Sequence, residues 1–248
     1  MKDSARSRFT TSSAAGTKEP SAGPIKEYEP EKLLGPFNEV ERRNAPERLY
    51  VRGDVSLLQV GARVSIVGAR KASPEGVRRA RKLAVELARE GVVVVSGLAA
   101  GIDAAAHNGA MEAGGRTVAV LGTPLDRFYP AENRALQERI MRDHLAVSQF
   151  PVGYPIQKQN FPRRNRVMAL ISDATVIVEA SNSSGSISQG WEALRLGRLL
   201  LIMKSVVDNP ELTWPAQMIG YGAQVLTATA PLLSMLPVDD VPLAAVAF

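Results

Sequence analysis

From residue 64 onward, short runs made almost wholly of β-branched and aliphatic residues alternate with longer stretches of helical periodicity. The runs at 64–67, 92–96, 117–121, 174–179 and 199–203 are apolar throughout, and strands of that kind are buried on both faces. Helical periodicity fills the intervals at 74–90, 103–113, 132–142, 163–171 and 188–196, and a short strand is expected at 146–149. Strand, helix, strand in regular succession is the pattern of a doubly wound, mostly parallel α/β sheet with helices on both faces. No internal repeat is visible. Ligands of such sheets bind outside the carboxyl ends of the strands, so the loops after Val67, Val95, Leu121 and Glu179 are the ones to inspect.

Composition narrows the chemistry. With 248 residues and 45% hydrophobic content, the chain fits one large domain or two small ones and is not a mostly disordered polymer. It has no cysteine and two histidines, which removes disulfides, Fe–S clusters, thiol catalysis and a His-rich zinc site. We therefore expect no cofactor and no metal. No apolar run approaches the roughly 20 residues of a membrane span, and the first residues are polar. The expectation is a cytoplasmic chain with no membrane partner. A net charge of +5 suits a nucleic-acid partner but is weak evidence until its distribution is known.

Residues 1–30 are rich in Ser, Thr, Ala, Gly, Pro and Lys without periodicity and read as a disordered tail. Residues 31–60 read as a lead-in packed on the main domain, residues 61–230 as the core, and residues 231–248 as a C-terminal tail.

The first loop contains Gly68, Arg70 and Lys71 ahead of Ser73 and Pro74. Ser at an N-cap and Pro at the first helical position leave N–H groups and the positive end of a helix dipole beside two cations. This is an anion-binding corner, or else a capped helix with two solvated cations. Neither G-x-G-x-x-G nor G-x-x-x-x-G-K-[ST] occurs in the chain, which excludes ordinary dinucleotide and P-loop chemistry.

In the second loop, Ser96, Gly97 and Gly101 lie at a strand-to-helix turn where the backbone must approach something closely. Asp103 and His107 are four residues apart on one helix face, either as a general-base pair or as a helix cap with a packed imidazole. The loop at 122–133 reads mainly as a rigid connector.

The segment Asn160, Phe161, Pro162, Arg163, Arg164, Asn165, Arg166 carries the strongest local signal. Three arginines without an acid at a helix start oppose the dipole and repel one another, which points to a phosphate among them. Guanidinium forks grip phosphate oxygens, and Phe161 offers a stacking face to a base. After the strand ending at Glu179, the residues Ser184, Gly185 and Ser186 supply hydroxyl and N–H donors for a phosphate or ribose.

These segments, namely Gly68 to Arg70, SGLAAGID at 96–103, AHNGAM at 106–111, GGRTVAVLGTPLDRFYPAENRAL at 114–136, NFPRRNRVMALIS at 160–172 and VIVEASNSSGS at 176–186, closely resemble the DNA-processing protein A family, also called DprA or Smf. ERLYVRGDVSLL at 47–58 resembles that family's lead-in, and the likeness covers roughly residues 45–205. The resemblance implies an extended Rossmann-like fold and single-stranded DNA binding in a basic pocket that includes Arg70. It also implies a homodimer, and delivery of the strand to the RecA recombinase during DNA uptake and recombination, without catalysis. Departures from the family pattern are Gln159 before Asn160, Pro124 after Gly122 and Thr123, Ile187 to Gly190 after Ser186, and Met203 to Ser205 after the last core strand.

The residues themselves leave a second reading open: a nucleotide sensor or phosphoribohydrolase using the same pocket, with Glu179 or Glu192 positioning water. Trp191 and Leu194 to Leu196 suit either a core or an interface between copies.

Overall fold

A strand sends successive side chains to opposite faces, and here both faces are covered. In the computed structural model, which describes residues 23–237, nine strands form one sheet. They are β1 (Lys26–Tyr28), β2 (Leu49–Gly53), β3 (Arg63–Gly68), β4 (Val93–Ser96), β5 (Thr117–Leu121), β6 (Leu145–Ser148), β7 (Ala174–Glu179), β8 (Leu199–Met203) and β9 (Gln224–Leu226). The helices are α1 (Pro30–Leu34), α2 (Glu39–Asn44), α3 (Pro74–Arg89), α4 (Ile102–Glu112), α5 (Arg134–Asp143), α6 (Asn160–Ile171), α7 (Gly185–Arg195), α8 (Lys204–Val207), α9 (Trp214–Gly220) and α10 (Thr229–Met235).

Val64 and Ile66 of β3, Val94 of β4 and Val176 and Val178 of β7 pack with Ala80, Leu83, Ala84 and Leu87 of α3 and Ala106 and Ala110 of α4. Val67, Val95 and Ile177 point the other way, into a cluster with Val167, Met168 and Ile171 of α6. This two-sided burial is why the strands contain no polar alternation. At roughly 1.5–3 kcal/mol for each fully buried Val, Leu or Ile, it is the main stabilising contribution to the sheet.

The strand order is β1-β2-β6-β5-β4-β3-β7-β8-β9, with β6 through β9 of that order all parallel and β1 and β2 antiparallel at one edge. The chain winds outward from β3 to β6 on one side and then from β7 to β9 on the other. The reversal opens a crevice between the carboxyl ends of β3 and β7, the usual ligand position in a doubly wound sheet.

Four boundaries differ by three residues or more from those read in the sequence. Lys26–Tyr28 is a strand paired with Leu49–Val51, so the presumed tail of residues 1–30 ends earlier; its residues 1–22 lie outside the described residues. At the other end, α10 buries Leu232 and, just beyond it, Leu236, so residues 231–236 belong to the core and 238–248 lie outside the described residues. Helices α6 and α7 each begin three residues before the expected 163 and 188. Among the described residues no helix is long and apolar enough to cross a membrane.

Candidate nucleic-acid interface

A cleft of ≈ 650 Å³ opens at this crevice, lined on one side by Gly68, Arg70 and Lys71 and on the other by Glu179 and the turn leading into Ser184, Gly185 and Ser186. Its remaining wall comes from α6 through Phe161, Arg164 and Asn165, and from the loop carrying Asn209 and Glu211. A cleft of this size suits a ligand of nucleotide dimensions.

The glycines of the first two loops are there for close approach. Gly101 has φ +76, and a side chain on it would run into the carbonyls of Ala69 and Arg70. Ile102 N donates to Ala69 O at 3.3 Å, so the second loop is laid against the first and holds the Arg70 turn in place. Gly68 is wedged between Ile102 and the Glu179 carbonyl. Gly97 leaves the space that the Arg164 guanidinium fills. Ser96 is fully buried and its hydroxyl donates to Ile66 O at 2.6 Å, which ties β4 to β3 and keeps Ser96 out of the cleft.

The three arginines of α6 have three different environments. Arg164 is buried; its Nη1 donates to Gly97 O at 2.5 Å and Val120 O at 2.8 Å, and its Nε donates to Asn165 Oδ1 at 3.0 Å. Burial pushes this guanidinium below its ordinary pKa, opposed by the attraction of Asp103. Arg166 pairs with Glu192 at 3.4 Å, which also receives Arg195 at 2.8 Å, so it clamps α6 to α7. Only Arg163 is exposed, with its guanidinium 5.2 Å from the Phe150 ring centroid and donating to Tyr154 Oη at 3.3 Å. The sequence expectation of three phosphate-seeking arginines is corrected accordingly. Two of the three have their counter-groups inside the protein, at 26 or more positions along the chain, where a local reading finds no acid.

Asn160 is fully buried and donates to Pro155 O at 3.0 Å. Asn165 donates to Gly185 O at 3.2 Å, joining α6 to the start of α7. Phe161 carries the Arg70 guanidinium 5.2 Å from its ring centroid, and the Tyr129 ring lies 5.3 Å away, tilted by 45°. Cation and aromatic rings thus form one cluster beside the cleft, half-buried at Phe161 and exposed at Arg70 and Tyr129, a surface suited to a base beside a phosphate. Tyr129 comes from the loop read as a connector, and the rest of that loop is one: Gln137 donates to Leu125 O and Arg127 O, and Ser148 donates to Thr123 O.

Two helices present their N-termini to the cleft. At α3, the expected open anion corner is already filled, because Ser73 N and Oγ donate to the two carboxylate oxygens of Glu179 at 2.8 and 2.5 Å. At α7, Ser184 makes no side-chain cap, and Ser186 Oγ is buried without a partner among the described residues.

A model of the DNA recombination-mediator protein A family matches residues 29–237. The chain belongs to that family. DNA processing protein DprA of Bacillus subtilis is 32% identical over 196 residues, 79% of this chain and 66% of the relative. The X-ray structure of the Streptococcus pneumoniae DprA superposes with a TM-score of 0.75 at 32% identity, covering 86% of this chain and 75% of that one. The structure of DNA processing protein A from Helicobacter pylori, which concerns its single-stranded DNA binding mode, gives a TM-score of 0.72 at 26% identity, covering 85% and 94%. The chain spans 44–66% of the length of the curated relatives it matches. The family fold is therefore the extended Rossmann-like sheet described above.

The Asp103 and His107 pair does not form a catalytic dyad. Asp103 turns back to accept from Gly97 N at 3.2 Å and Ala99 N at 3.3 Å, and burial pushes its carboxyl up against the pull of Arg164. His107 is fully buried with Nδ1 2.7 Å from Thr117 Oγ1, whose own hydrogen goes to Val94 O. The imidazole therefore donates from Nδ1 and leaves Nε2 bare. Burial, with His144 and Arg164 adding to it, holds its pKa down to about 3. Since the unfolded chain takes this proton near 6.5 and the native one only near 3, protons favour unfolding across that window. Stability from this group is expected to be full above pH 6.5 and to fall as the pH drops from 6.5 toward 3. His107→Gln should flatten that fall in urea midpoints, and an unchanged pH slope would refute this account.

Sequence reasoning missed the wall made by Asn209 and Glu211. Asn182 donates to Glu211 O at 2.9 Å and accepts from Thr213 N at 3.2 Å, which brings the loop after α8 to the cleft. Only the pairing of β8 beside β7 makes these two loops neighbours.

Proposed function

We propose that this chain is a cytoplasmic single-strand binder that holds DNA in the β3–β7 cleft by its phosphates and one or more stacked bases, acting as a binding protein and not as an enzyme. The observation that carries the reading is the cleft, where exposed Arg70 lies over Phe161 beside Tyr129 and shares the lining with exposed Lys71 and the start of α7, which has no side-chain cap. The single-stranded DNA binding described for the H. pylori protein supports it. Delivery of the strand to RecA in transformation or recombination is the further step that the family resemblance supports. The hydrolase reading needs a free carboxylate, whereas Glu192 is clasped by two arginines and Glu179 by Ser73.

The test is a fluorescence-anisotropy titration of a labelled oligo-dT strand at two salt concentrations. Affinity should fall steeply with salt, with a logarithmic slope of about −0.7 for each phosphate contacted, and neither duplex DNA nor a mononucleotide should compete. A shallow slope with full competition by mononucleotide would replace this reading with a small-nucleotide site.

A homodimer is part of the proposal. Tyr221 is 69% exposed, meets Trp191 edge-on at 5.4 Å, and stands near Val225 on the terminal strand β9. An aromatic patch beside a strand that is outermost among the described residues is a surface that a second copy can cover. Tyr221→Glu should halve the mass seen by light scattering without changing the melting temperature; an unchanged mass would remove this face from consideration.

A further inference from the structure

In a doubly wound sheet the helix after the first core strand ordinarily receives a phosphate at its N-terminus. In this chain that seat holds the protein's own anion. Ser73 N and Oγ both donate to Glu179, Gly76 N donates to Ser73 Oγ at 2.9 Å, and Pro74 has no N–H to offer. Position 76 is built around the arrangement, since a Cβ there would lie 2.9 Å from the Glu179 carboxyl carbon and closer still to one of its oxygens. Glu179 and Glu211 both line the cleft that Arg70 and Lys71 share.

We propose that Glu179 is a selectivity residue: by filling the phosphate seat of α3 it restricts the cleft to internal phosphodiesters of a strand and turns away phosphomonoesters. A terminal phosphate carries about −1.5 to −2 charges near pH 7, against one for a diester, and it would have to displace a carboxylate already held by two donors. Strand phosphates are directed instead to the Arg70 and Lys71 side and the uncapped start of α7. This inference rests on the single-strand reading, and its test has a separate arm for each.

The experiment measures oligo-dT by anisotropy and thymidine 5′-monophosphate by calorimetry on the parent, Glu179→Gln, Glu179→Asp and Glu75→Gln. The amide of Glu179→Gln removes the charge, and a phosphate can displace it more readily than a carboxylate. Glu179→Asp keeps the charge but is one methylene shorter, which draws the carboxylate back from Ser73. Glu75→Gln removes one charge from the first turn of α3, outside the cleft, and controls for net charge. Glu179→Gln is expected to raise monophosphate affinity by about tenfold or more, the scale of one charge-assisted contact; Glu179→Asp should raise it less, and Glu75→Gln not at all. Unchanged monophosphate affinity in both Glu179→Gln and Glu179→Asp, or an equal rise in Glu75→Gln, would overturn the role given to Glu179. If thermal melting shows Glu179→Gln to be unfolded, Glu179→Asp decides. Failure of the parent to bind oligo-dT would overturn the strand reading alone, with the monophosphate arm still judging Glu179.

Discussion

Arg164→Ala is expected to cost the protein about 3–5 kcal/mol of stability, the scale for removing one member of a buried charged network. At about 2–4 °C per kcal/mol for a chain of this size, the melting temperature should drop by roughly 10 °C or more. The reason is positional. The guanidinium reaches from α6 to Gly97 O at the end of β4 and Val120 O in β5, and its removal leaves two buried carbonyls unpaired and Asp103 without its nearby cation. Arg164→Lys should recover only part of the loss, because an ammonium lacks the planar fork that serves these carbonyls and Asn165 together. A differential scanning measurement in which Arg164→Ala melts within about 2 °C of the parent would show that this arginine is not the brace described.

Arg70→Ala should behave in the opposite way. Arg70 is exposed and its contact is the face of Phe161, so its truncation should leave the melting temperature nearly unchanged, as for most surface substitutions. Affinity for oligo-dT should fall about tenfold at low salt, and the salt slope should lose about one phosphate equivalent. Binding by Arg70→Ala equal to that of the parent would remove the first loop from the interface. The pair of variants separates folding from binding. Replacing Arg163, Arg164 and Arg166 together would mix the two, because Arg164 and Arg166 hold α6 to its neighbours.

Much of the fold was legible because burial on both faces leaves its mark in every strand. The run at 174–179 has no polar alternation because Val176 and Val178 face the α3 and α4 cluster while Ile177 faces α7 on the other side. The edge strands β1 and β9 have three residues each and carry too little pattern to be read. Helix α6 begins ahead of Pro162, because a proline within the first turn removes no hydrogen bond. The start of α7 was hidden by Gly185 and Ser186, whose residue types suit a loop equally well.

The cleft was legible as a set of loops, and Gly68, Arg70, Lys71, Phe161 and Ser184 to Ser186 do meet there. What each charged group does was not. A cation's role depends on which anion or carbonyl lies beside it, and those partners are distant in the chain: Glu179 is 106 positions from Ser73, and Gly97 is 67 from Arg164. The sequence by itself determined the alternation of buried strands and amphipathic helices, hence the sheet and the end of it that binds. Only the tertiary structure decided that one arginine braces the core, another clamps two helices and Arg70 faces solvent, because burial and pairing are set by strand order and not by local composition.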